Sequence, residues 1–255
     1  MRDISEFINK IHCGDCLDLM REMPDKSVDL VLTDLPFGTT QNKWDIPIPF
    51  DQMWEQVCRV KKENTAVIFF GMGMFTAELM MSNKKLWKYN LIWKKGNRVS
   101  GFLNSHKMPL RAHEDILIFY SSPPQYNPQF SCGKPTHNRK FSAKKVDNTY
   151  RQNLQTPTDL SLGTRKYPKS ILDFDKPHPP IHPSEKPVSL LEYLIRTYSN
   201  VGDTVLDFCI GSGSTALAAV RSHRNYIGIE KEPEYIKIAE KRLEKVNNHK
   251  IEEWF

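Results

Sequence analysis

Short apolar runs alternate with longer segments of helical periodicity along most of this chain. The short runs are apolar at consecutive positions, as in strands that are buried on both faces of a sheet. They predict strands over residues 28–33, 65–70, 89–93, 116–120, 204–208 and 225–229. The longer segments predict helices over residues 16–23, 50–61, 74–82, 187–198, 214–222 and 233–246. This alternation predicts an α/β fold with a mostly parallel sheet and helices on both of its faces.

Residues 121–181 break this pattern. They contain nine of the 17 prolines and no apolar period long enough for a helix, so we expect an irregular insertion. Ten basic and four acidic residues lie in this segment, a difference equal to the net charge of +6 of the whole chain. Basic side chains interleaved with aromatic rings suit a nucleic acid, because cations neutralise phosphates and flat rings contact bases. A solvated basic loop without a ligand is the alternative on charge alone.

The composition excludes several classes of protein. Hydrophobic residues make up 39% and charged residues 26%, as in globular chains rather than disordered ones. The longest mostly apolar run, residues 66–75, is too short to cross a bilayer, and the first six residues lack the apolar stretch of a signal peptide. We therefore expect a cytoplasmic protein that does not associate with membranes.

The five cysteines also favour a reducing compartment, because they are odd in number and thinly spread. Cys13 and Cys16 have the spacing of redox and zinc sites. A zinc site needs four ligands, however, and no second pair follows at a matching spacing. We predict no metal site.

The clearest cofactor signal is a glycine turn near the C-terminus. A predicted strand ends at Asp207, the turn contains Gly211 and Gly213, and a helix follows at once. Glu230 ends the next strand, 19 residues after Gly211, where a carboxylate can accept hydrogen bonds from ribose hydroxyls. A strand–turn–helix without a ligand is the structural alternative.

Two cofactors fit this turn, a nicotinamide dinucleotide and S-adenosylmethionine. Only 42 residues follow Gly213, fewer than the second half of a dinucleotide-binding domain requires. Asp207 would also place negative charge beside a pyrophosphate, whereas it suits a sulfonium and an amino acid head group. We predict S-adenosylmethionine.

A second constellation follows the strand over residues 28–33 and consists of Asp34, Leu35, Pro36 and Phe37. In open α/β sheets ligands bind at the carboxyl ends of strands, so we expect Asp34 and Asp207 to face one crevice. Methylation of an exocyclic amine is difficult because the nitrogen lone pair is delocalised into the ring. Hydrogen bonds from that amine to the Asp34 carboxylate and the Leu35 carbonyl would favour a pyramidal nitrogen. Pro36 would stiffen the turn, and Phe37 would stack on a base drawn out of a duplex. The alternative is that Asp34 is an incidental acid in a turn of the core.

These motifs resemble those of the DNA amino-methyltransferases, the adenine-N6 and cytosine-N4 family dependent on S-adenosylmethionine. Residues 34–37 resemble the family's Asp-Pro-Pro-Tyr, with Leu35 for the first proline and Phe37 for tyrosine, and residues 207–213 resemble its cofactor loop. The order of acid turn, basic insertion and cofactor loop resembles the family's β group. The resemblance implies a Rossmann-like methyltransferase fold with a doubly wound sheet and circularly permuted motifs. Its expected parts are a catalytic half, a target-recognition insertion and a cofactor-binding half, over residues 1–120, 121–181 and 182–255.

The resemblance also implies roles for individual residues. Residues 182–187 resemble the motif at the methionine end of the cofactor, and residues 14–16 resemble the segment beside its adenine. With the glycine turn, the expected cofactor-binding residues are Asp15, Cys16, Asp34, His182, Ser184, Lys186, Asp207, Phe208, Cys209, Gly211, Gly213, Ser214, Thr215 and Glu230. Residues 38–45 resemble the loop beside the target base, and residues 111–114 lie on the target-base side or serve as an ordinary strand edge. The expected DNA-binding residues are Thr39, Lys43, Trp44, Arg111, Arg139, Lys140, Lys144, Lys145, Arg165 and Lys166.

Together these patterns predict a bacterial or phage enzyme that methylates adenine N6 in double-stranded DNA by base flipping, as in restriction–modification. An initial aspartate, rather than serine, leans the family resemblance towards adenine, but cytosine N4 is the alternative target, because members with an initial aspartate also methylate that base. A catalytically inactive DNA-binding protein of the same fold, an RNA methyltransferase and a nicotinamide dehydrogenase are further alternatives. The resemblance leaves open whether the enzyme forms a homodimer and whether it works beside an endonuclease.

Overall fold

The structure is a computed structural model that describes residues 2–42, 45–96, 98–134, 164–180 and 184–252, with side chains described as far as residue 246. The chain divides into two compact units. The first comprises Met1–Asn127 and Ser170–Phe255, and the second comprises Pro128–Lys169.

The described residues form ten strands and six α-helices. The strands are β1 (Lys10–Cys13), β2 (Val28–Thr33), β3 (Lys61–Gly71), β4 (Trp87–Lys94), β5 (His113–Phe119), β6 (Ser131–Cys132), β7 (Arg165–Lys166), β8 (Ile171–Asp173), β9 (Thr204–Asp207) and β10 (Asn225–Glu230). The helices are α1 (Cys16–Glu22), α2 (Phe50–Val60), α3 (Met74–Ser82), α4 (Val188–Tyr198), α5 (Ser214–Arg221) and α6 (Pro233–Glu252).

The first unit is built on one sheet with the strand order β1-β10-β9-β2-β3-β5-β4-β8. The first five strands in this order are parallel to one another, β5 is antiparallel to both β3 and β4, and β8 is parallel to β4. The parallel strands point their carboxyl ends to the same edge, which is where ligands bind in such sheets.

Helices cover both faces of this sheet. Alternate side chains of each strand point to opposite faces, so each strand contributes side chains to two cores. Val31 and Phe69 belong to a core that includes side chains of α1, α2 and α3. Leu30 and Phe70, one position away along their strands, belong to a second core that includes side chains of α4 and α5. Burial of each such side chain stabilises the fold by roughly 1.5–3 kcal/mol. The predicted α/β fold with a mostly parallel, doubly wound sheet is confirmed.

The six predicted strands and six predicted helices are present, with shifted ends. The strand predicted from residue 65 begins at Lys61, directly after α2, and the helix predicted to end at residue 246 continues to Glu252. The pattern missed β1 and β8, which lie at the two edges of the sheet. Each has only three or four residues and a partly exposed burial pattern, so neither produces an apolar run.

The second unit contains a short antiparallel pair formed by β6 and β7. The guanidinium of Arg165 lies 4.2 Å from the centre of the Phe130 ring, and the Phe130 and Tyr167 rings are 5.1 Å apart. Across the described parts of both units, no helix combines the length and the apolar composition needed to cross a bilayer.

Candidate active site

Three acidic residues lie at the carboxyl ends of adjacent parallel strands. Asp34 follows β2, Asp207 ends β9 and Glu230 ends β10. All three line one cavity of about 630 Å³, a volume in the usual range for small-molecule sites. The acid turn and the glycine turn, 173 residues apart in the chain at Asp34 and Asp207, therefore meet at one cavity.

Most of the residues predicted for the site line this cavity. They are Asp15, Cys16, Asp34, Leu35, Pro36, Phe37, Thr39, Arg111, Ser184, Lys186, Asp207, Phe208, Cys209, Gly211, Ser214, Thr215 and Glu230. Gly213 does not line it. The predicted residues His182, Lys43, Trp44, Arg139, Lys140, Lys144 and Lys145 lie outside the described residues, whereas Arg165 and Lys166 belong to the second unit.

Asp34 presents its two carboxylate oxygens in different ways. Oδ2 accepts a hydrogen bond of 2.5 Å from the Lys186 ammonium. Oδ1 is buried and has no hydrogen-bond donor among the described residues. Burial raises the pKa of Asp34 to about 6, with Lys186 lowering it and Glu114 raising it. At neutral pH this carboxylate is therefore mostly ionised, with Oδ2 bound to Lys186 and Oδ1 without a donor among the described residues.

Asp34 is the first member of a buried charge chain that continues through Lys186 and Glu114 to Lys95. The Lys186 Nζ lies 3.4 Å from Glu114 Oε2, and the Lys95 Nζ lies 2.7 Å from Glu114 Oε1. Lys95 also donates to the Ser100 hydroxyl at 3.3 Å. The side chains of Lys95 and Lys186 are only 2% and 7% exposed. Two cations alternate with two anions, so the chain of charges carries no net charge.

The charges in this chain hold one another in the ionised state. Burial lowers the pKa of Lys186, but Asp34 and Glu114 outweigh that effect and keep the pKa above its usual value. Burial likewise raises the pKa of Glu114, but Lys186 and Lys95 bring it below its usual value. Removing one partner of a buried ion pair leaves an uncompensated charge, which typically costs about 3–5 kcal/mol.

Sequence reasoning identified only part of this charge chain. It placed Lys186 at the cofactor and residues 111–114 on the target-base side or at an ordinary strand edge. It did not predict that the Lys186 ammonium contacts Asp34 or that Glu114 contacts both lysines. It missed Lys95 altogether. The sequence did contain a signal for this pair. Lys95 directly follows β4 and Glu114 lies in β5, two strands with buried apolar residues, and a charged residue in such a place requires a partner.

Asp207 is as deeply buried as Lys186, but no cation among the described residues lies beside it. Its carboxylate accepts a hydrogen bond of 3.1 Å from the Cys209 amide and further hydrogen bonds from the Thr215 and Thr33 hydroxyls. None of the ion pairs among the described residues includes Asp207. Burial raises its pKa to about 7, so its negative charge requires a partner. The positive charges of S-adenosylmethionine meet that requirement.

The glycine turn is held open beside this carboxylate. Gly211 has φ +51°, and no atom of the described residues lies within 4 Å of the position that a Cβ would take, so a ligand can approach its backbone. Its amide donates to Glu230 Oε2 at 2.8 Å, while Glu230 Oε1 accepts from the Glu232 amide at 2.9 Å. These contacts fix the turn, and the carboxylates of Asp207 and Glu230 are acceptors that fit the positive charges and the ribose hydroxyls of S-adenosylmethionine.

Gly213 serves the packing of helices. It has φ +81°, and a Cβ on this residue would lie 2.6 Å from the Cβ of Ala239 in α6. Only glycine therefore allows α5 to begin so close to α6. The structure shows this packing contact for Gly213 and does not place it at the cavity.

Other predicted residues also have structural contacts. The Asp15 carboxylate caps α1 by accepting from the Leu17 and Asp18 amides at 2.9 and 3.4 Å. A hydrogen bond with the Cys16 thiol and burial raise the pKa of Cys209 well above its usual value.

Within the described ranges, no three His, Cys, Asp or Glu side chains are grouped so that they could hold a metal ion.

The loop beside the acid turn is organised by one carboxylate. Asp45 accepts hydrogen bonds from the Gly38, Thr39 and Thr40 amides at 2.8, 2.9 and 2.7 Å. The Phe37 ring stacks on the Phe75 ring, with centres 4.5 Å apart and planes 28° apart. Both arrangements keep Phe37 and Thr39 at the cavity wall.

The chain is similar in sequence to known DNA methyltransferases. Type II methyltransferase M.HinfI from Haemophilus influenzae is 29% identical over 272 residues, which cover 96% of this chain and 70% of that protein. DNA adenine methyltransferase YhdJ from Escherichia coli (strain K12) is 27% identical over 256 residues, covering 94% of this chain and 84% of that protein.

Solved structures show the same fold. The complex of M1.HpyAVI with SAM has a TM-score of 0.61 at 22% identity and covers 91% of this chain and 98% of that one. The cytosine-N4-specific PvuII DNA methyltransferase has a TM-score of 0.65 at 17% identity, covering 90% and 84%. The model of the N6/N4 methyltransferase family, described as DNA methylase, matches residues 28–241. The chain belongs to this family, the amino-methyltransferases of DNA that depend on S-adenosylmethionine.

Proposed function

We propose that this protein methylates the N6 amino group of adenine at a specific sequence in double-stranded DNA. The observation that carries the proposal is Asp34 Oδ1, a buried carboxylate oxygen at the cavity without a hydrogen-bond donor among the described residues. A neutral amine can donate to this oxygen, and the carboxylate is mostly ionised at neutral pH.

Three groups of this chain would prepare the amine for attack. Lys186 holds Oδ2 and so fixes the orientation of the Asp34 carboxylate. The amine would donate one N–H to Oδ1 and the other to the Leu35 carbonyl, which favours a pyramidal nitrogen with its lone pair aimed at the methyl group. The Phe37 ring would stack against a base that has been drawn out of the duplex. Bound S-adenosylmethionine supplies a methyl group on a positively charged sulfur.

Adenine is the proposed target for two reasons. The relative YhdJ is named as a DNA adenine methyltransferase, and the tetrapeptide of this chain begins with aspartate. Cytosine N4 is the competing target, because its amine presents the same delocalised lone pair. A DNA-binding protein without catalysis is the competing function, and the intact Asp34, Lys186 and Asp207 argue against it.

We further propose that residues 121–181 contact the DNA and read its sequence, between a catalytic half and a cofactor-binding half. Arg165 supports this proposal, since it is exposed and its guanidinium lies over the Phe130 ring. Stacked cations and rings of this kind contact phosphates and bases. A cytoplasmic location, a homodimer and a partner endonuclease belong to the same proposal, in line with the type II relatives.

One experiment tests the function directly. The protein is expressed in cells that lack other DNA methyltransferases, and the genomic DNA is sequenced with detection of modified bases. We expect N6-methyladenine within one recurring sequence, and we expect it to be absent for Asp34→Ala, which should still bind S-adenosylmethionine. Modified cytosine, methylation of RNA alone, or an active Asp34→Ala would overturn the proposal.

A further inference from the structure

The connection between β4 and β5 forms a hairpin at the rim of the cavity. Ser100 and Arg111 pair across it, with the Ser100 amide donating to the Arg111 carbonyl at 3.0 Å and the reverse bond measuring 2.8 Å. Both residues line the cavity. The base of this hairpin, at Ser100 and Arg111, is therefore fixed beside the site that would receive the target nucleobase.

The tip of the hairpin presents two large apolar side chains to solvent. Phe102 is 65% exposed and Leu103 is 92% exposed. They stand on a 3₁₀-helix, Phe102–Asn104, that begins after Gly101 with φ +95°. The Asn104 carbonyl accepts from the Lys107 and Met108 amides at 2.9 and 3.0 Å, so the backbone of the tip is hydrogen-bonded within itself. A folded turn that points apolar side chains outward is typical of a binding surface.

The charge around this tip favours a polyanion. Residues 94–113 contain five lysines and arginines and no acidic residue. Lys94 and Lys95 pair with Asp173 and Glu114. Arg98, Lys107 and Arg111 make no ion pair among the described residues. A symmetric contact with a second copy of this chain would bring these cations together, whereas DNA phosphates would neutralise them.

We propose that Phe102 and Leu103 enter the DNA duplex as an apolar wedge next to the extruded nucleotide, while Arg98, Lys107 and Arg111 contact the flanking phosphates. The inference rests on the proposed function, because only an enzyme that extrudes a base leaves a gap to fill. Extrusion leaves neighbouring bases unstacked, and apolar side chains inserted between base steps replace part of the lost stacking. The hairpin base lies at the cavity rim, so its tip would reach the duplex near that gap.

The test compares Leu103→Ala and the double variant Phe102→Ala/Leu103→Ala with the wild type on two substrates. Both are duplexes that contain the recognised sequence, one with the target normally paired and one with an abasic site opposite the target. We expect kcat/KM of the variants on the paired duplex to fall about tenfold, because the side chains that fill the gap left by the extruded nucleotide are missing. On the abasic duplex, where no pair must be opened, we expect values within about twofold of the wild type.

Val201→Ala is the matched control, because Val201 is also an exposed apolar residue but lies in the turn before β9, at the opposite end of that strand from the cavity. This variant should behave as the wild type on both duplexes. An equal loss on both duplexes, or no loss on either, would overturn the wedge. So would a wild-type homodimer that Leu103→Ala separates into monomers, because the tip would then contact a second copy.

The same experiment separates this inference from the proposed function. A wild-type protein that methylates neither duplex overturns the proposed function, and the wedge with it. A wild-type protein that methylates both, with variants that are unchanged, leaves the proposed function intact and removes only the wedge.

Discussion

Asp34 and Asp207 lie at the ends of neighbouring parallel strands, but the protein treats their charges differently. Asp34 pairs with a buried lysine and belongs to a neutral chain of four charges. Among the described residues, Asp207 has only hydroxyl and amide donors around it. Burial raises the pKa of both, to about 6 and about 7. An acid whose charge the protein has already neutralised suits a neutral ligand, such as an amine, whereas an acid without a cation suits a ligand that brings positive charge.

The largest effect should come from exchanging Asp34 for its amide. Asp34→Asn should lower kcat by about 100-fold or more, because the oriented acceptor is lost, while the affinity for S-adenosylmethionine stays close to that of the wild type. Steady-state kinetics and a separate cofactor-binding titration measure the two quantities. Equal losses in kcat and in cofactor affinity would contradict the assignment of Asp34 to the amine and of Asp207 to the cofactor.

Lys186→Met should have the next largest effect. The pKa of Asp34 should rise, because Lys186 is what lowers it against burial. The activity of the wild type should increase as the pH rises through about 6, where Asp34 ionises, and the variant should need a more alkaline pH. The free energy of unfolding should also fall by about 3–5 kcal/mol, since Glu114 loses a buried partner.

Lys186→Arg is the control, because it keeps the charge and should leave the pH profile near that of the wild type. A pH–rate profile together with urea unfolding measures both effects. A Lys186→Met profile with its midpoint unchanged would contradict the pairing of Lys186 with Asp34.

Asp207→Asn should weaken cofactor binding about tenfold through the loss of one buried charge partner. It should also change the pH dependence of stability in the absence of cofactor. The folded-state pKa of about 7 lies above the unfolded value of 3.8, so the folded protein retains a proton that the unfolded chain releases. The Asp207 contribution to stability therefore falls as the pH rises from about 4 to about 7, and Asp207→Asn should remove that fall. Denaturant unfolding at pH 4.5, 6 and 8 tests the sign.

Glu114→Gln should shift the pH–rate profile least, in the direction opposite to that of Lys186→Met. The negative charge of Glu114 raises the pKa of Asp34, so its removal should shift the acid limb of the pH–rate profile to lower pH. A shift to higher pH would mean that Glu114 acts only by holding Lys186 in place.

The sequence predicted the two acids but not the difference between them. Asp34 and Asp207 each follow a recognisable buried strand, and parallel strands end at one edge, so their shared cavity could be predicted. The partner of Asp34 could not, because Lys186 lies 152 residues away and no local pattern connects them. Glu114 and Lys95 come together because β4 and β5 are antiparallel neighbours, which the pattern of short apolar runs does not specify. The edge strands β1 and β8 were not predicted for a related reason. Each pairs with a neighbour on one side only and is partly exposed, so it forms without an apolar run in the sequence.

Proton release on cofactor binding tests this comparison most directly. Calorimetric titration with S-adenosylmethionine at pH 7, repeated in buffers of different ionisation enthalpy, counts the protons exchanged. Positive charge beside Asp207 should lower its pKa, so the wild type and Asp34→Asn should release more protons on binding than Asp207→Asn does. Equal proton exchange in the wild type and Asp207→Asn, or a loss of the difference in Asp34→Asn, would contradict the assignment of Asp207 to the cofactor and Asp34 to the amine.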